Sequence, residues 1–335
     1  MKFLIAGSGS IGRRHVRNLL TLGERDIMLY RTHHGTLDDK ELAQLPVETD
    51  LQKALAMRPD AVIISNPTSK HMEVALPTAQ AGIHMLIEKP VSGSLTGLDE
   101  LEEKTSEQHC NILVGYQFRF HPVLQKIKTL LADGSLGRVL SVQAHWGEYL
   151  PGWHPWEDYR SGYAARNDLG GGVVLTLCHP LDYLLWLVGE VKTVSAKVGK
   201  ISDLEIDVED NAEITLGFKN GCIGHVHLDY YQQPPAHWLE ITTSQGHIRW
   251  NNASGAAEVY HTEHGWSRLE PPSGFERNDL FVSEMQHFIE VIKGNEESLC
   301  DLGQGMKALE LAIAVHVSSS HDSRSILLED LGRFI

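Results

Sequence analysis

The stretch that decides the fold is Lys2-Phe3-Leu4-Ile5-Ala6-Gly7-Ser8-Gly9-Ser10-Ile11-Gly12. Its first five residues are typical of a buried strand, its glycines form a GxGxxG pattern, and residues 11–22 have helical periodicity. In this setting the first glycine permits a tight turn, the second lets a pyrophosphate approach the backbone, and the third lets helix and strand pack closely. The helix N terminus offers N–H groups and partial positive charge. We therefore predict a dinucleotide site at residues 7–12, with a ligand-free glycine turn as the alternative.

Working outward from this stretch, short runs rich in Val and Ile alternate with helical patterns up to about residue 115. This alternation predicts an α/β fold with a parallel sheet and crossover helices. The predicted strands are Lys2–Ala6, Asp26–Arg31, Ala61–Ser65, His84–Glu88 and Ile112–Tyr116. The predicted helices are Ile11–Leu22, Asp50–Met57, Lys70–Ala81 and Leu95–Gln108, and Pro77 should kink the third or shift its register.

The pattern changes after about residue 120. A helix (Val123–Ala132), a long strand (Val139–Tyr149) and an irregular loop precede a buried helix, and residues 192–269 are typical of a meandering antiparallel sheet. Helices at Asp279–Lys293 and Gly305–Ser318 close the chain. We predict an N-terminal Rossmann domain over residues 1–120 and a C-terminal α+β domain, with a large, mostly antiparallel open sheet, over residues 121–335.

Composition excludes several classes of protein. A formal net charge of −15 leaves no basic excess for nucleic acid or an anionic membrane. The four cysteines have no CxxC spacing, which indicates free thiols in a reducing compartment. The N-terminal apolar run enters glycines rather than a cleavage site, and no apolar stretch is long enough to span a bilayer. We expect a cytoplasmic protein without nucleic-acid or membrane partners.

The segment after the second predicted strand concerns the choice of cofactor. An acidic residue there would hold the ribose hydroxyls of NAD, but the sequence is Leu29-Tyr30-Arg31-Thr32-His33. The Arg31 guanidinium can bind a 2′-phosphate, so NADP(H) is favoured and NAD(H) remains the alternative. Arg31 as an ordinary solvated charge is the other interpretation. We include Arg31 and Thr32 among the predicted cofactor-binding residues.

Four further motifs follow the glycine pattern in order. They are NPTSKH at 66–71, EKP at 88–90, GYQFRFHP at 115–122 and LGGGVVLTLCHPLD at 169–182. Together the five motifs resemble the glucose-fructose oxidoreductase, inositol dehydrogenase and rhizopine catabolism (Gfo/Idh/MocA) family over most of the chain. The change from α/β to α+β agrees with that family's architecture.

The resemblance implies that Lys89 is the active-site lysine and that His179 is the acid/base. Oxidation of a carbinol needs a base for the hydroxyl proton, a positive charge for the developing alkoxide and a hydride acceptor. A histidine titrates near neutral pH and suits the first task. Many family members carry an aspartate one turn before this histidine, where this chain has Leu175 and Thr176.

The remaining site predictions divide into two sets. Segments at the carboxyl ends of the strands should bind cofactor, and the resemblance suggests a contact from Gln117 to the cofactor amide. The predicted cofactor set beyond residues 7–12 is Arg31, Thr32, Asn66, Pro67, Thr68, His71, Glu88, Lys89 and Gln117. The predicted substrate set is Tyr116, Arg119, Tyr159, Arg160, Arg166, Thr176 and Asp182.

Several of these residues keep a second interpretation. Asp182 can orient His179 or simply favour the helix dipole. Arg160 and Arg166 can bind an anionic sugar or a nucleotide diphosphate, in a loop whose aromatic residues suit a sugar pocket, a lid or a subunit contact. His225 and His227 invite a metal hypothesis, but without a third ligand of clear geometry we favour a structural or interface role and predict no metal site.

The main functional hypothesis is a dehydrogenase or reductase that uses NAD(P) and acts on a secondary alcohol or ketone of a sugar, polyol or nucleotide-sugar derivative. The resemblance also implies a homodimer or homotetramer, with the second domain's sheet as interface. One alternative is a catalytically silent dinucleotide sensor. Another is an epimerase, lyase or glycosidase that keeps its cofactor bound.

Overall fold

The structure, a computed structural model, describes residues 1–32 and 39–334. His33, at the end of the segment after the second predicted strand, lies outside the described residues. The chain divides into two compact units, the first of residues 1–117 and 276–309 and the second of residues 118–275 and 310–335. The chain first passes from one unit to the other near residue 120, where the domain boundary was predicted. Residues 276–309, however, belong to the first unit.

The helices and strands alternate first and then separate into strand-rich and helix-rich stretches. In chain order they are β1 (Lys2–Ala6), α1 (Ser10–Thr21), β2 (Asp26–Tyr30), β3 (Val47–Glu48), α2 (Leu51–Ala56), β4 (Ala61–Ile64), α3 (His71–Gln80), β5 (His84–Glu88), α4 (Leu98–Gln108), β6 (Ile112–Gly115), α5 (Pro122–Ala132), β7 (Val139–Gly147), α6 (Val173–Thr176), α7 (His179–Val188), β8 (Val191–Gly199), β9 (Asn211–Phe218), β10 (Ile223–Asp229), β11 (Ala236–Thr243), β12 (Gly246–Asn251), β13 (Ala257–His261), β14 (Gly265–Leu269), α8 (Arg277–Ile292), α9 (Leu302–Ser320) and β15 (Ile326–Leu327).

The first unit contains a six-stranded parallel sheet in the order β3-β2-β1-β4-β5-β6. This is the doubly wound order of dinucleotide-binding folds, so the predicted Rossmann fold is confirmed. Residues 3–6 and 61–64 are fully buried. Their continuous apolar runs are expected for central strands that are covered on both faces.

Helix α8 belongs to the first unit because it packs on α1. The guanidinium carbon of Arg14 lies 4.4 Å from the centroid of the Phe281 ring. The side-chain amide of Asn278 donates a hydrogen bond of 2.9 Å to Asn18. A late segment of the chain therefore completes the unit that the N terminus begins.

The second unit contains a nine-stranded sheet in the order β14-β13-β12-β11-β7-β10-β9-β8-β15. The prediction of a large, mostly antiparallel sheet is confirmed, but the sheet is not one meander. β7 lies between β11 and β10 and pairs in parallel with β10. The strands β9, β10 and β11 alternate buried and more exposed residues, so one face of the sheet is covered better than the other.

Most predicted elements occur within one to three residues of their expected limits. The helix expected from Leu95 begins at Leu98, because Gly97 before it adopts the left-handed backbone conformation with φ +81°. The two-residue strand β3 was not predicted, since so short a pattern gives little signal. Pro77 lies within α3.

No single helix in the described part of the chain is both long and apolar enough to cross a membrane. The pair Asn167–Thr176 and His179–Val188, bent by 45°, meets those two criteria only when taken together.

Candidate active site

The glycine turn after β1 has the close packing that its sequence predicts. Gly7 has φ +102°, and a Cβ atom there would lie 2.6 Å from the backbone nitrogen of Asn66. A Cβ atom on Gly12 would lie 2.1 Å from the carbonyl oxygen of Gly7 and 2.8 Å from Oγ of Ser65. Side chains at these two positions would push α1 away from the ends of β1 and β4.

Gly9 has a different environment, since no described atom lies within 4 Å of where its Cβ would be. It is the N-cap of α1, and no described side chain caps the helix. The first helical hydrogen bond runs from the Arg13 N–H to the Gly9 carbonyl at 3.0 Å. The N–H groups of Ser10, Ile11 and Gly12 therefore precede the first helical donor, as in a helix terminus that binds a phosphate group.

Arg31 and Thr32 follow β2 directly beside this turn. The Gly7 N–H donates to the Tyr30 carbonyl at 3.1 Å, and the Arg31 N–H donates to the Glu48 carbonyl at 3.2 Å. The predicted selector of the ribose substituent is thus adjacent in the sheet to the predicted pyrophosphate site. Glu48 turns its carboxylate to the N–H groups of Thr49 and Asp50, and these bonds lower its pKa.

A buried histidine joins the two predicted cofactor loops that follow β4 and β5. His71 Nε2 lies 3.0 Å from the Asn66 carbonyl, and its Nδ1 lies 3.1 Å from the Pro90 carbonyl. Burial lowers the pKa of His71, although these carbonyls and Glu88 oppose that shift. Asn66 also donates from its side chain to the Lys70 carbonyl at 3.0 Å. His71 therefore fixes both loops from inside. Pro67 and Thr68 lie in the short turn of the first loop, between Asn66 and His71.

Glu88, before Lys89, forms a buried pair with α1. His15 Nε2 lies 2.7 Å from Oε1 of Glu88. Burial alone would raise the pKa of Glu88, but the bond to His15 and the charges of His15, Lys89 and His71 hold it below its usual value. The carboxylate before Lys89 is therefore ionised and fixed, while Lys89 itself is half-buried.

Glu284 is a second carboxyl group near Glu88, and it was not predicted from the sequence. Glu284 of α8 is fully buried, and neither of its carboxyl oxygens has a described hydrogen-bond partner. Burial, reinforced by the negative charge of Glu88, raises the pKa of Glu284 well above its usual value. No local pattern marks this residue, because only packing of α8 on α1 brings it into the same unit as Glu88.

Tyr116 and Gln117, at the end of β6, are both buried. Gln117 starts a short 3₁₀ turn that ends at Phe120.

In the second unit, His179 begins α7 and packs against aromatic rings. Its ring is stacked on Trp146 of β7 at 5.4 Å between centroids, and Phe118 meets it edge-on at 5.1 Å. Trp146 stacks in turn on His237 at 4.2 Å, and Tyr183, one turn after His179, stacks on His237 at 6.0 Å. Ring packing therefore constrains the orientation of His179, the predicted acid/base, and no local pattern in the sequence indicates its contact with Trp146.

Arg119 and Asp182, both predicted to bind substrate, form an ion pair. Arg119 Nη2 lies 2.7 Å from Oδ1 of Asp182, and the Nε group also donates to the carboxylate. Burial raises the pKa of Asp182, and the Arg119 charge opposes that shift. Asp182 lies on the same helix as His179, three residues later, so its bond to Arg119 holds the start of α7.

No carboxylate replaces the aspartate that many family members carry one turn before the histidine. Leu175 and Thr176 stand at that place and are buried in α6. A different carboxyl group contacts the start of this helix. Glu209 Oε1 accepts a hydrogen bond of 3.2 Å from the Val174 N–H. Burial raises the pKa of Glu209 to about 7, against the effect of the backbone bonds. Sequence reasoning missed Glu209 because it is 35 residues from Val174, the residue with which it forms this hydrogen bond.

The predicted substrate arginines of the irregular loop are paired with carboxylates. Arg160 bonds both oxygens of Asp158 and lies 2.6 Å from Glu205, and Arg166 lies 2.6 Å from Asp168. Tyr159 accepts a hydrogen bond from the Glu205 N–H. Arg160 and Arg166 line a shallow groove of about 750 Å³ in the second unit, and His179 is not among the described residues around it.

Comparison with known proteins agrees with the two halves of this description. Residues 1–116 match the family model described as the oxidoreductase family with an NAD-binding Rossmann fold. Residues 124–249 match the GFO/IDH/MocA C-terminal domain.

Individual relatives extend over nearly the whole chain. A myo-inositol 2-dehydrogenase from Thermotoga maritima is 27% identical, with 99% of each chain covered. A UDP-N-acetylglucosamine 3-dehydrogenase from Acidithiobacillus ferrooxidans is 24% identical, covering 95% of this chain and 97% of that one. The fold is shared with a Bordetella pertussis dehydrogenase solved with NADH and UDP-GlcNAcA, at 23% identity, a TM-score of 0.82 and 98% coverage of each chain.

Proposed function

The chain belongs to the GFO/IDH/MocA family of oxidoreductases, and we propose that Lys89 and His179 are the residues that carry its hydride-transfer chemistry. The observation that supports a dinucleotide-dependent reaction is the glycine turn at residues 7–12. Its close packing and the uncapped start of α1 suit a bound dinucleotide. A bound nicotinamide supplies the hydride acceptor or donor at its C4 atom.

In the oxidative direction the substrate carbinol loses a hydride from carbon and a proton from oxygen. His179 accepts the hydroxyl proton, and the Lys89 ammonium stabilises the negative charge that develops on that oxygen. In the reductive direction His179 returns the proton to the ketone oxygen. Glu88, fixed by His15, holds the strand end that presents Lys89.

The substrate that we propose is a sugar, a polyol or a nucleotide-sugar derivative with a reactive secondary hydroxyl group. The named relatives act on inositol or on a UDP-linked sugar, and both offer such a group on a ring. The aromatic loop of the second unit, which contains Trp153, Trp156 and Tyr159, offers the flat apolar surfaces that pack on sugar rings.

For the cofactor we propose NADP(H) over NAD(H), on the basis of Arg31. Arg31 follows β2 beside the glycine turn, and neither Arg31 nor Thr32 carries the carboxylate that would hold both ribose hydroxyls of NAD.

We propose a cytoplasmic homodimer or homotetramer as the working form. The better exposed face of the second sheet includes Ile223 and Trp266, each more than half exposed. Self-association would remove this apolar surface from water. All four cysteines are buried free thiols, which fits a reducing compartment.

The decisive experiment begins with binding of NADPH and NADH to the purified full chain. Fluorescence of the reduced cofactor is then followed in the presence of sugars, polyols and sugar nucleotides. We expect Lys89→Ala and His179→Ala each to lower turnover by at least about 10²-fold with cofactor affinity less affected, while Lys104→Ala, a control at a lysine that is half-buried like Lys89, keeps its rate. Near-wild-type turnover in both site variants would contradict the assignment.

The absence of the family's usual carboxylate, at the place of Leu175 and Thr176, favours a second candidate function. A protein that binds cofactor tightly but turns over no tested carbinol would be a sensor or an enzyme that retains its cofactor through elimination, epimerisation or glycoside cleavage. Product analysis without added cofactor separates these two: the sensor forms no product, whereas the enzyme does.

A further inference from the structure

Four polar side chains meet on one face of the second sheet, beside Gly147. They are His145 of β7, His227 and Asp229 of β10, and Gln232 in the loop that follows β10. His145 Nε2 lies 2.5 Å from Oε1 of Gln232, and His227 Nε2 lies 2.9 Å from Oδ2 of Asp229. Ligand atoms of His145, His227 and Asp229 all lie within 4.8 Å of one another.

The parallel pairing of β7 and β10 brings this cluster together. His145 is the register partner of His227, and Gly147 is the partner of Asp229. A Cβ atom on Gly147 would lie 2.2 Å from Oδ2 of Asp229 and 2.2 Å from Oε1 of Gln232. The lack of a side chain at Gly147 therefore leaves the space in which the two oxygens approach the imidazoles.

A surrounding set of hydrogen bonds orients two of the four groups. The N–H groups of Tyr231 and Gln232 donate to Oδ1 of Asp229 at 2.9 and 2.7 Å, which directs Oδ2 towards His227. On the other side of the His227 ring, Nδ1 lies 2.6 Å from Oε1 of Glu213. A carboxylate on the far nitrogen is the usual partner of a metal-binding histidine, because it fixes the tautomer and the ring orientation.

We propose that His145, His227, Asp229 and the amide oxygen of Gln232 bind one divalent transition-metal ion of the zinc class. Two imidazole nitrogens with two oxygens suit Zn²⁺ and Co²⁺, whereas Mg²⁺ and Ca²⁺ prefer sites built from oxygen alone. The net charge of the ligand set and Glu213 is negative when both imidazoles are neutral, which favours a dication. The ion would join β7 to β10 and to the loop after β10.

The present orientation of the two imidazoles requires one of them to turn when the ion binds. The rings of His145 and His227 are stacked with centroids 4.6 Å apart and an angle of 19° between their planes. The in-plane lone pairs of parallel rings do not converge on one point. The other face of His145 is stacked on Trp238 at 5.3 Å. Rotation of His145 would change the surroundings of Trp238, so indole fluorescence should report binding.

A second histidine cluster in the same unit serves as the control. His261, Glu263 and His264 lie around the turn between β13 and β14, and their ligand atoms are equally close together. These three residues are half-buried or exposed, whereas Asp229 is buried. The oriented carboxylate of Asp229 and its two N–H donors distinguish the cluster at Gly147, so we assign the ion to that cluster.

The test uses the full chain after removal of metal with a chelator, titrated with Co²⁺ and then with Zn²⁺ in competition. We expect one Co²⁺ per chain, visible absorption typical of low coordination number, and a change in tryptophan fluorescence that Zn²⁺ reproduces. His145→Phe keeps an aromatic ring on Trp238 but removes the nitrogen ligand, and it should lower Co²⁺ affinity by at least tenfold. Glu213→Gln should lower it by about 10- to 100-fold.

The matched control His264→Phe should leave affinity and stoichiometry unchanged. The proposal is overturned if the wild-type chain shows no saturable Co²⁺ site at micromolar concentrations. It is also overturned if His145→Phe and Glu213→Gln, shown to be folded by circular dichroism, bind Co²⁺ as tightly as the wild type.

Discussion

Arg119 and Asp182 form a nearly solvent-free ion pair, with their side chains 3% and 1% exposed. The pair connects the turn after β6 to α7, the helix that His179 begins. Such a pair adds little net stability compared with apolar residues of the same size, because desolvation of the two charges offsets their attraction. Removal of one partner is costly, since it leaves the other charge buried.

Asp182→Asn should lower the free energy of unfolding by about 3–5 kcal/mol, measured by urea denaturation, because the buried charge of Arg119 then loses the attraction of the Asp182 carboxylate. The double variant Arg119→Met, Asp182→Leu removes both charges and should lose less than Asp182→Asn alone. If the double variant loses as much stability as the single variant, the charge imbalance is not the cause.

Glu209 is largely buried, and burial raises its pKa to about 7. The folded protein holds this proton over a range in which the unfolded chain has lost it, so stability is lost as the pH rises from about 4.5 to about 7. The total loss should be about 3 kcal/mol. In Glu209→Gln the free energy of unfolding should fall less over this pH range than in the wild type, because only the contribution of Glu209 is removed, while the exposed control Glu258→Gln should follow the wild type. Parallel curves for Glu209→Gln and the wild type would show that Glu209 does not titrate in this range.

The pKa of Glu284 also lies above its usual value, because the group is buried and the negative charge of Glu88 is near. The protonated form is favoured in the folded state, so stability should fall as the pH rises above about 4.5. Glu284→Gln cannot ionise, and its thermal midpoint should lose less between neutral and alkaline pH than that of the wild type. The exposed variant Glu102→Gln provides the comparison and should follow the wild type. An equal alkaline loss in Glu284→Gln would mean that this carboxyl group is not held neutral.

The fourth prediction concerns cofactor selection. Arg31→Ala should weaken NADPH binding by at least about tenfold and NADH binding much less, because only NADPH carries the 2′-phosphate that a guanidinium pairs with. Binding is measured by quenching of protein fluorescence, with the exposed Arg25→Ala as control. Equal losses for the two cofactors would place Arg31 outside the selection of the ribose substituent.

The first unit was predictable because its signals are local. The glycine turn, the apolar strands and the helices between them follow one another in sequence, and right-handed crossovers restrict the ways in which parallel strands can be ordered. The contribution of α8 was not predictable, since Glu284 and Phe281 meet their partners only through tertiary packing.

In the second unit the strands were predictable but their arrangement was not. The alternation of residues identifies β7 and β10, but it does not indicate that β7 lies beside β10 rather than at an edge. That one pairing supplies the neighbours of His227 that the sequence lacked. The spacing of His225 and His227 alone gave no third ligand, and His145 and Gln232 come from other parts of the chain.

Helix α8 has a consequence for how the protein is made. A ribosome releases the six-strand sheet region early, but the segment that covers α1 is among the last to leave. Until then the nascent chain displays the α1 surface that Phe281 and Asn278 later occupy. The first unit can therefore be completed only after α8 has been synthesised, and a gene fragment ending near residue 117 would encode the sheet with the Arg14 and Asn18 side of α1 uncovered.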